Sequence, residues 1–363
     1  MDYCEVLIVE DNEDMRASWA RDVRDFNRTS PRPFDFSVTF ATTKNEAVKV
    51  IKRSRFDCAI VDLRLPLGDA SGSSDMPLGN DVIDVLLEYT GVPTYVYSGF
   101  DAEASEVARR SNIRVFSKAG GASAKILAAI ASEAELMDAM DQTRSIIFRE
   151  TSKLFYQSIW LRWEKRWSGL PDKDAICGVI ARQTASHLAE SLAKFPAKHH
   201  PEEFYIVPAL HAERLDTGDI LSIGDKLYIV LTPRCNMANK PPANYLLATL
   251  STLSDWATWK EDLLGASGKK REKAEKEIRN HATQGHESAS HFLPPLNGEG
   301  PWLVDFKEAR TIKSKLADKL IDRRMATVAP QFVPNLVQRY SAYLGRIGQP
   351  EIGEGELIAL CKS

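Results

Sequence analysis

Cysteine is scarce in this chain and follows no pattern. Cys4, Cys58, Cys177, Cys235 and Cys361 are far apart in sequence and form no CxxC pair. A disulfide framework and a paired-cysteine zinc site are therefore excluded, and free thiols in a reducing cytosol are expected. Charge of one sign is not in excess either: 47 Lys and Arg face 50 Asp and Glu, a formal net charge of −3. Nucleic-acid binding through bulk phosphate neutralisation is thereby excluded, and only a local patch could achieve it. No apolar run approaches the ~20 residues of a membrane-spanning helix. The opening MDYCEVLIVEDN carries no basic segment or cleavage site of a secretory leader, so a cytoplasmic protein is expected. GxSxG, P-loop and GxGxxG motifs do not occur.

What is present is a globular composition, 44% hydrophobic and 27% charged, in 363 residues, enough for two or three domains. Short apolar runs stand at Val6-Leu7-Ile8-Val9, Phe36 to Phe40, Cys58-Ala59-Ile60-Val61, Tyr95-Val96-Tyr97 and Ile113 to Phe116. Being too short for amphipathic helices, they read as strands buried on both faces. Helical patterns alternate with them: about Glu13 to Phe26, Lys44 to Lys52, Val82 to Tyr89, Ala102 to Arg110, and a fifth from Ala122. Five alternating units predict an α/β domain over residues 1–135, a doubly wound five-stranded parallel sheet covered by helices on both sides.

The strand ends carry the chemistry. Glu10-Asp11 follows the first strand, Asp62 the third, Ser98 the fourth and Lys118 the fifth. In an open parallel sheet ligands bind just beyond the carboxyl ends of the strands, so these groups are expected in one crevice. Three close carboxylates repel one another unless a cation joins them, and Mg²⁺ suits an all-oxygen donor set. With charge so balanced, one carboxylate can attack a phosphoryl group and become an acyl phosphate.

This ordered set resembles the receiver domain of bacterial two-component response regulators, over roughly residues 3–135. The resemblance implies a flavodoxin-like fold with Asp62 as phosphoacceptor. Mg²⁺ would be held by Glu10, Asp11, Asp62 and the Arg64 backbone carbonyl, with Ser98 as switch hydroxyl and Lys118 as phosphoryl partner. It further implies a sensor histidine kinase as donor. Departures occur: Ala119 stands where proline usually follows the lysine, Val115 stands at an often aromatic position, and the loop from Leu63 to Asn80 is long. The two positions that in receivers flank the hydrolytic water are Arg64 and Phe100, neither suited to orient it, so a long-lived phosphoryl group is expected.

Beyond the receiver-like part, residues 136–200 read as a helical connector and 201–363 as an α+β domain. Helical spacing runs from Ala122 to Trp167 and from Asp174 to Phe195, and the first of these makes a homodimer an expectation. Strands are expected at Phe204 to Val207, Asp219 to Ile223, Leu227 to Leu231, Tyr245 to Leu250, Phe292 to Leu296 and Trp302 to Phe306. Helices are expected over Ser254 to Gln284, Leu316 to Arg324 and Phe332 to Ile347. Gly224-Asp225 between two of the strands signals a tight turn. This stretch loosely resembles the small SH3-like barrel of PemK-like toxins, which are ribonucleases, but Lys226-Leu227 replaces their Arg-Pro. The run from Lys269 to Glu277 is mixed in sign and reads as a solvated helix face, and His281, His286 and His291 read as polar surface. Trp160, Trp163, Trp167, Trp256, Trp259 and Trp302 read mostly as packing residues.

The layout as a whole is similar to the buffer component of bacterial anti-phage two-component systems, a receiver protein that acts as a phosphate sink beside an effector response regulator of the same operon. The alternatives are a phosphorylation-gated ribonuclease and a DNA-binding transcription regulator. No helix-turn-helix pattern supports the latter.

Overall fold

The computed structural model describes residues 2–29, 31–68, 77–106, 113–118, 122–168, 172–194, 198–209, 211, 213–239, 242–265, 267–346 and 353–362. The chain divides into two compact units, Met1–Phe195 and Pro196–Ser363.

In the first unit the strands are β1 (Tyr3–Val9), β2 (Asp35–Ala41), β3 (Cys58–Val61), β4 (Thr94–Ser98) and β5 (Arg114–Ser117). All pair in parallel, in the order β2-β1-β3-β4-β5, the flavodoxin-like doubly wound arrangement. The helices are α1 (Glu13–Arg28), α2 (Lys44–Ile51), α3 (Gly79–Tyr89) and α4 (Ser123–Ser132). The expected helix from Ala102 to Arg110 falls largely outside the described residues; Asp101–Glu103 forms a single 3₁₀ turn.

Strand alternation explains the two-sided core. Val6 and Ile8 face a cluster with Trp19, Ile60, Tyr97, Ile126 and Ile130. Leu7 and Val9 face the opposite cluster with Ile51, Val61, Val82, Ile83 and Leu86. A parallel strand buried on both faces needs this continuous apolar character. Local sequence sets the helix starts: Asn12 Oδ1 accepts from the Met15 amide and Thr43 Oγ1 from the Glu46 amide, each serving an otherwise orphaned N–H.

The helical stretch is interrupted at Glu133, then continues as α5 (Ala134–Leu154), followed by π-helical turns at Phe155–Ile159 and Trp163–Trp167. A second helix, α6 (Lys173–Leu192), packs against α5. Trp160 and Trp163, expected as packing residues, are instead 50% and 43% exposed.

The second unit holds one seven-stranded sheet, ordered β10-β11-β9-β8-β7-β12-β6 and antiparallel throughout. Its strands are β6 (Tyr205–Ile206), β7 (Asp219–Ile223), β8 (Lys226–Val230), β9 (Asn244–Thr252), β10 (Ser290–Leu293), β11 (Trp302–Lys313) and β12 (Arg324–Val328). Ile223 pairs with Lys226 across Gly224-Asp225, and the positive φ of 61° at Gly224 suits the two-residue turn. Among the described residues no ladder joins β10 to β6, so the expected SH3-like barrel finds no support. The helix expected from Leu316 to Arg324 is a short α-turn and a 3₁₀ turn, and the strand β12 that follows went unread in the sequence. Its five residues carry too short an alternation to declare themselves, and pairing with β6 and β7 makes them a strand. Helix α7 (Trp256–Gly265) packs against α8 (Lys269–Ala282), and α9 (Val333–Leu344) packs against β10. His281 and His291 are 9% and 1% exposed, which overturns their reading as polar surface.

One close approach positions the site. A Cβ on Gly79, the first residue of α3, would lie 2.1 Å from the Asp62 carbonyl oxygen and 2.5 Å from Leu63 Cα. The Gly79 amide donates to the Leu63 carbonyl at 2.8 Å, so helix and loop cannot separate without losing that bond. Gly79→Ala should lower unfolding free energy by about 1–3 kcal/mol, as overpacking does, seen as a reduced urea midpoint.

Candidate functional site

The carboxyl ends of β1, β3, β4 and β5 converge as the topology requires. The backbones there are pinned: the Glu10 amide donates to the Ala41 carbonyl at 2.9 Å, Asp62 to Val9 at 2.9 Å and Lys118 to Ser98 at 3.0 Å. Glu10 is 2% and Asp62 7% exposed, Ser98 is fully buried, and Asp11 is exposed. Arg16, which the sequence reading missed, donates through Nη1 to the carbonyls of Glu10 and Asp11 at 3.0 and 2.6 Å and holds the acidic turn. Its position one turn into α1 was the available signal.

Lys118 lies between the two buried acids. Its Nζ donates to Glu10 Oε2 at 2.6 Å and to Asp62 Oδ2 at 2.7 Å. Burial pushes the Glu10 carboxyl above its ordinary range, Lys118 opposes that rise, and the Asp62 charge adds to it. For Lys118, burial acts to lower the pKa, but the bonds to Asp62 and Glu10 outweigh it and the net shift is upward. The ammonium therefore stays charged and serves as the local counter-cation.

Glu10, Asp11 and Asp62 each present an oxygen, and these atoms lie within 4.8 Å of one another. A hard, all-oxygen set with one exposed member fits Mg²⁺, which keeps several waters. The Arg64 peptide adjoins the cluster, its amide 3.5 Å from Asp62 Oδ1. On the other side, Ser98 Oγ accepts from the Phe100 amide at 3.2 Å.

Arg64 and Phe100 meet each other. The guanidinium carbon lies 3.3 Å from the Phe100 ring centroid, and Glu103 takes two bonds from the same group, at 3.1 and 2.6 Å. Asn80 Nδ2 donates to the Glu103 carbonyl at 3.1 Å and closes the rim. Glu103 and Asn80 were not singled out from sequence, because only the fold brings them to Arg64. Ala119 and most of the long loop after Leu67 lie outside the described residues.

The paired thiols were also invisible in the sequence: Cys4 Sγ and Cys58 Sγ are buried and 3.9 Å apart on adjacent strands. Burial first, then the neighbouring Cys4 thiol, raises the Cys58 pKa well above its ordinary value, which makes it a packing group, not a nucleophile.

Removing the ammonium should expose the like-charge problem. Lys118→Ala is expected to lose about 3 kcal/mol at neutral pH, because two neighbouring carboxylates are left uncompensated. Burial raises the Glu10 carboxyl, and without the ammonium that rise is unopposed, so the variant's stability falls as pH rises and the deficit should shrink on acidification and in the presence of Mg²⁺. Urea titrations at two pH values, with and without the ion, check this.

No family model and no curated protein matches the chain. Solved structures do, over its N-terminal part. A CheY-like response regulator receiver domain protein from Methanospirillum hungatei is 18% identical, covering 38% of this chain and 99% of that one at a TM-score of 0.31. The signal receiver domain of a LuxO repressor protein from Vibrio parahaemolyticus is 19% identical, covering 39% and 97% at 0.31. A response regulator from Burkholderia pseudomallei, with a phosphorylated aspartic acid, calcium ion and citrate, is 20% identical, covering 52% and 92% at 0.28.

Proposed function

We propose that the protein is a phosphoacceptor of a two-component system, acting in the cytoplasm, and that Asp62 is the acceptor. The observation that carries this reading is the buried Asp62 carboxylate bonded to Lys118 Nζ at 2.7 Å, within a three-carboxylate cluster. An Asp62 oxygen attacks the phosphorus of a sensor kinase phosphohistidine. The P–N bond breaks, its electron pair stays on the imidazole, which takes up a proton, and the product is an aspartyl acyl phosphate. Lys118 stays protonated and pairs with the transferred group, while the Ser98 hydroxyl hydrogen-bonds one of its oxygens. Mg²⁺ held by Glu10, Asp11, Asp62 and the Arg64 carbonyl would supply further neutralisation of phosphoryl charge.

The output we propose is a phosphate sink. Hydrolysis needs a group that orients water beside the acyl phosphate. Arg64 is instead engaged by Glu103 and covered by Phe100, and neither Arg64 nor Phe100 can act as a base. A slow loss of phosphate suits a component that drains a kinase away from an effector response regulator. Its assignment to antiviral defence rests on the resemblance of the whole layout to such buffer proteins.

A second copy of the chain is the proposed partner of α5 and the turns after it. Phe148, Tyr156, Trp160 and Leu161 are 59%, 73%, 50% and 50% exposed there. Glu135 and Asp141 lie near the start of this helical stretch, while Arg162, Lys165 and Arg166 form a basic end, so antiparallel copies bring opposite charges together. Light scattering should give a dimer mass, reverting to monomer in Trp160→Glu.

With acetyl phosphate and Mg²⁺, the wild type should gain one phosphoryl group by intact mass and Asp62→Asn none. Once donor is removed, the label should persist for hours. A half-life of seconds refutes the sink and leaves the acceptor role standing, whereas an unlabelled wild type refutes both.

A further inference from the structure

The rim of the first unit's site carries a circuit of bonds that phosphoryl transfer to Asp62 does not use. Arg64 and Phe100 each stand two residues after a reactive group, Asp62 and Ser98. Their backbones lie against those groups: the Arg64 amide is 3.5 Å from Asp62 Oδ1, and the Phe100 amide donates to Ser98 Oγ at 3.2 Å. The two side chains then meet, with the guanidinium carbon 3.3 Å from the ring centroid. Because β3 and β4 are neighbours in the sheet, this stack bridges from the acceptor's strand end to the hydroxyl's.

A cation over an aromatic ring at a partly exposed site is a weak attraction and does not hold such a stack by itself. Glu103 supplies the rest. Its carboxylate takes two bonds from the Arg64 fork, Nε to Oε2 at 3.1 Å and Nη2 to Oε1 at 2.6 Å. A two-point pair of this kind fixes the plane of the guanidinium as well as its place. The Arg64 bonds hold the Glu103 carboxyl below its ordinary range, so the pair stays charged at neutral pH.

Glu103 is itself pinned. Its amide donates to the Phe100 carbonyl at 2.9 Å, which folds the 3₁₀ turn Asp101–Glu103 back toward the residue that Arg64 covers. Asn80, in the first turn of α3, donates through Nδ2 to the Glu103 carbonyl at 3.1 Å and accepts at Oδ1 from the Ser105 amide at 2.9 Å. Ala104, between them, is buried with Val82, Ile83 and Leu86. The start of α3 is in turn bonded to the acceptor loop through the Gly79 amide and the Leu63 carbonyl. A partly exposed ion pair adds little to stability, so stability alone does not account for fixing this one from both sides.

We propose that Glu103 is a positioning residue that sets the lifetime of the acyl phosphate, by holding the Arg64–Phe100 stack closed against the water that would hydrolyse it. The inference rests on the reading of Asp62 as phosphoacceptor and adds to it the device that retains the phosphoryl group. In the reaction opposed, a water oxygen adds to phosphorus and the P–O bond to Asp62 breaks. The electron pair returns to the Asp62 carboxylate, a water proton passes to solvent, and inorganic phosphate leaves. Keeping water from a reactive intermediate slows that step without any change in the acceptor itself. Without the Glu103 carboxylate the stack loses the two bonds that fix it.

Loss of the phosphoryl group from the full chain, followed by intact mass after the acetyl phosphate is removed, tests this. Glu103→Ala should still take up one phosphoryl group and should lose it about tenfold faster than the wild type. Glu103→Gln, nearly the same in shape, guards against a loss of fold and should also shorten the lifetime, because the ion pair is gone. Arg64→Ala should shorten it too, and adding Glu103→Ala to that variant should change nothing further, since Glu103 then has nothing to hold. A wild-type lifetime in both Glu103 variants overturns the proposal. So do multiplying effects of the Arg64 and Glu103 substitutions, or an Arg64→Ala protein that keeps its label as long as the wild type. In those three cases the wild type is labelled and Asp62 keeps its acceptor role. A wild type that loses its label in seconds also overturns the proposal, and one that takes no label removes the acceptor reading together with it.

Discussion

The ammonium of Lys118 bonded to both Glu10 and Asp62 is the constraint on which the first unit's chemistry rests. Two buried carboxylates at neighbouring strand ends cannot both ionise without a cation. In the sheet order β1 and β3 are adjacent, whereas β5 lies beyond β4. Strands are spaced about 4.8 Å apart, so the cation must reach across a whole strand, which a lysine side chain can do and a short residue cannot. The Lys118 amide bonded to Ser98 holds the two strand ends in register while the side chain makes that reach.

The edge of the sheet that carries Ser98 and Lys118 is also tied to the long helix. Tyr95, on β4, donates to Glu133 Oε2 at 2.6 Å, and Arg114, on β5, forms an ion pair with the other oxygen of that carboxylate. Glu133 marks the break between α4 and α5. The start of α5 is therefore anchored to the backs of the same two strands whose ends bear the hydroxyl and the amine. Burial first, and the Glu133 carboxylate second, push the Tyr95 phenol well above its ordinary pKa, so it remains a donor at any physiological pH.

The second unit solves its charge problem by a different arrangement. Asp219, 1% exposed on β7, accepts from Thr327 and from Arg324 Nη1 at 3.2 Å. Arg324 also donates to the Arg214 carbonyl at 2.7 Å. Burial raises the Asp219 carboxyl, and the bonds from Thr327 and the Asp216 amide and the Arg324 charge hold it back. Asp216, 2% exposed, pairs with Arg234. The bonds from Thr327 and Arg324 to Asp219 fasten β12 into the sheet next to β7, where an isolated five-residue segment has little intrinsic preference to form a strand.

The amino-acid order alone settled the alternation of five apolar runs with helical spacing, and with it a parallel sheet, because continuous burial on both faces leaves a pattern that any neighbour would require. It also put acids, a hydroxyl and an amine at strand ends, so their convergence follows from the order of residues alone. It did not contain the partners of those groups. Arg64 stacking on Phe100, Glu103 gripping Arg64, the thiol pair of Cys4 and Cys58 and the burial of His291 all join residues distant in the chain. Such contacts depend on register and packing, which local periodicity does not encode. The same holds for β12 and for the open antiparallel sheet. A short strand is defined by the hydrogen-bond donors beside it, and only the folded chain supplies those.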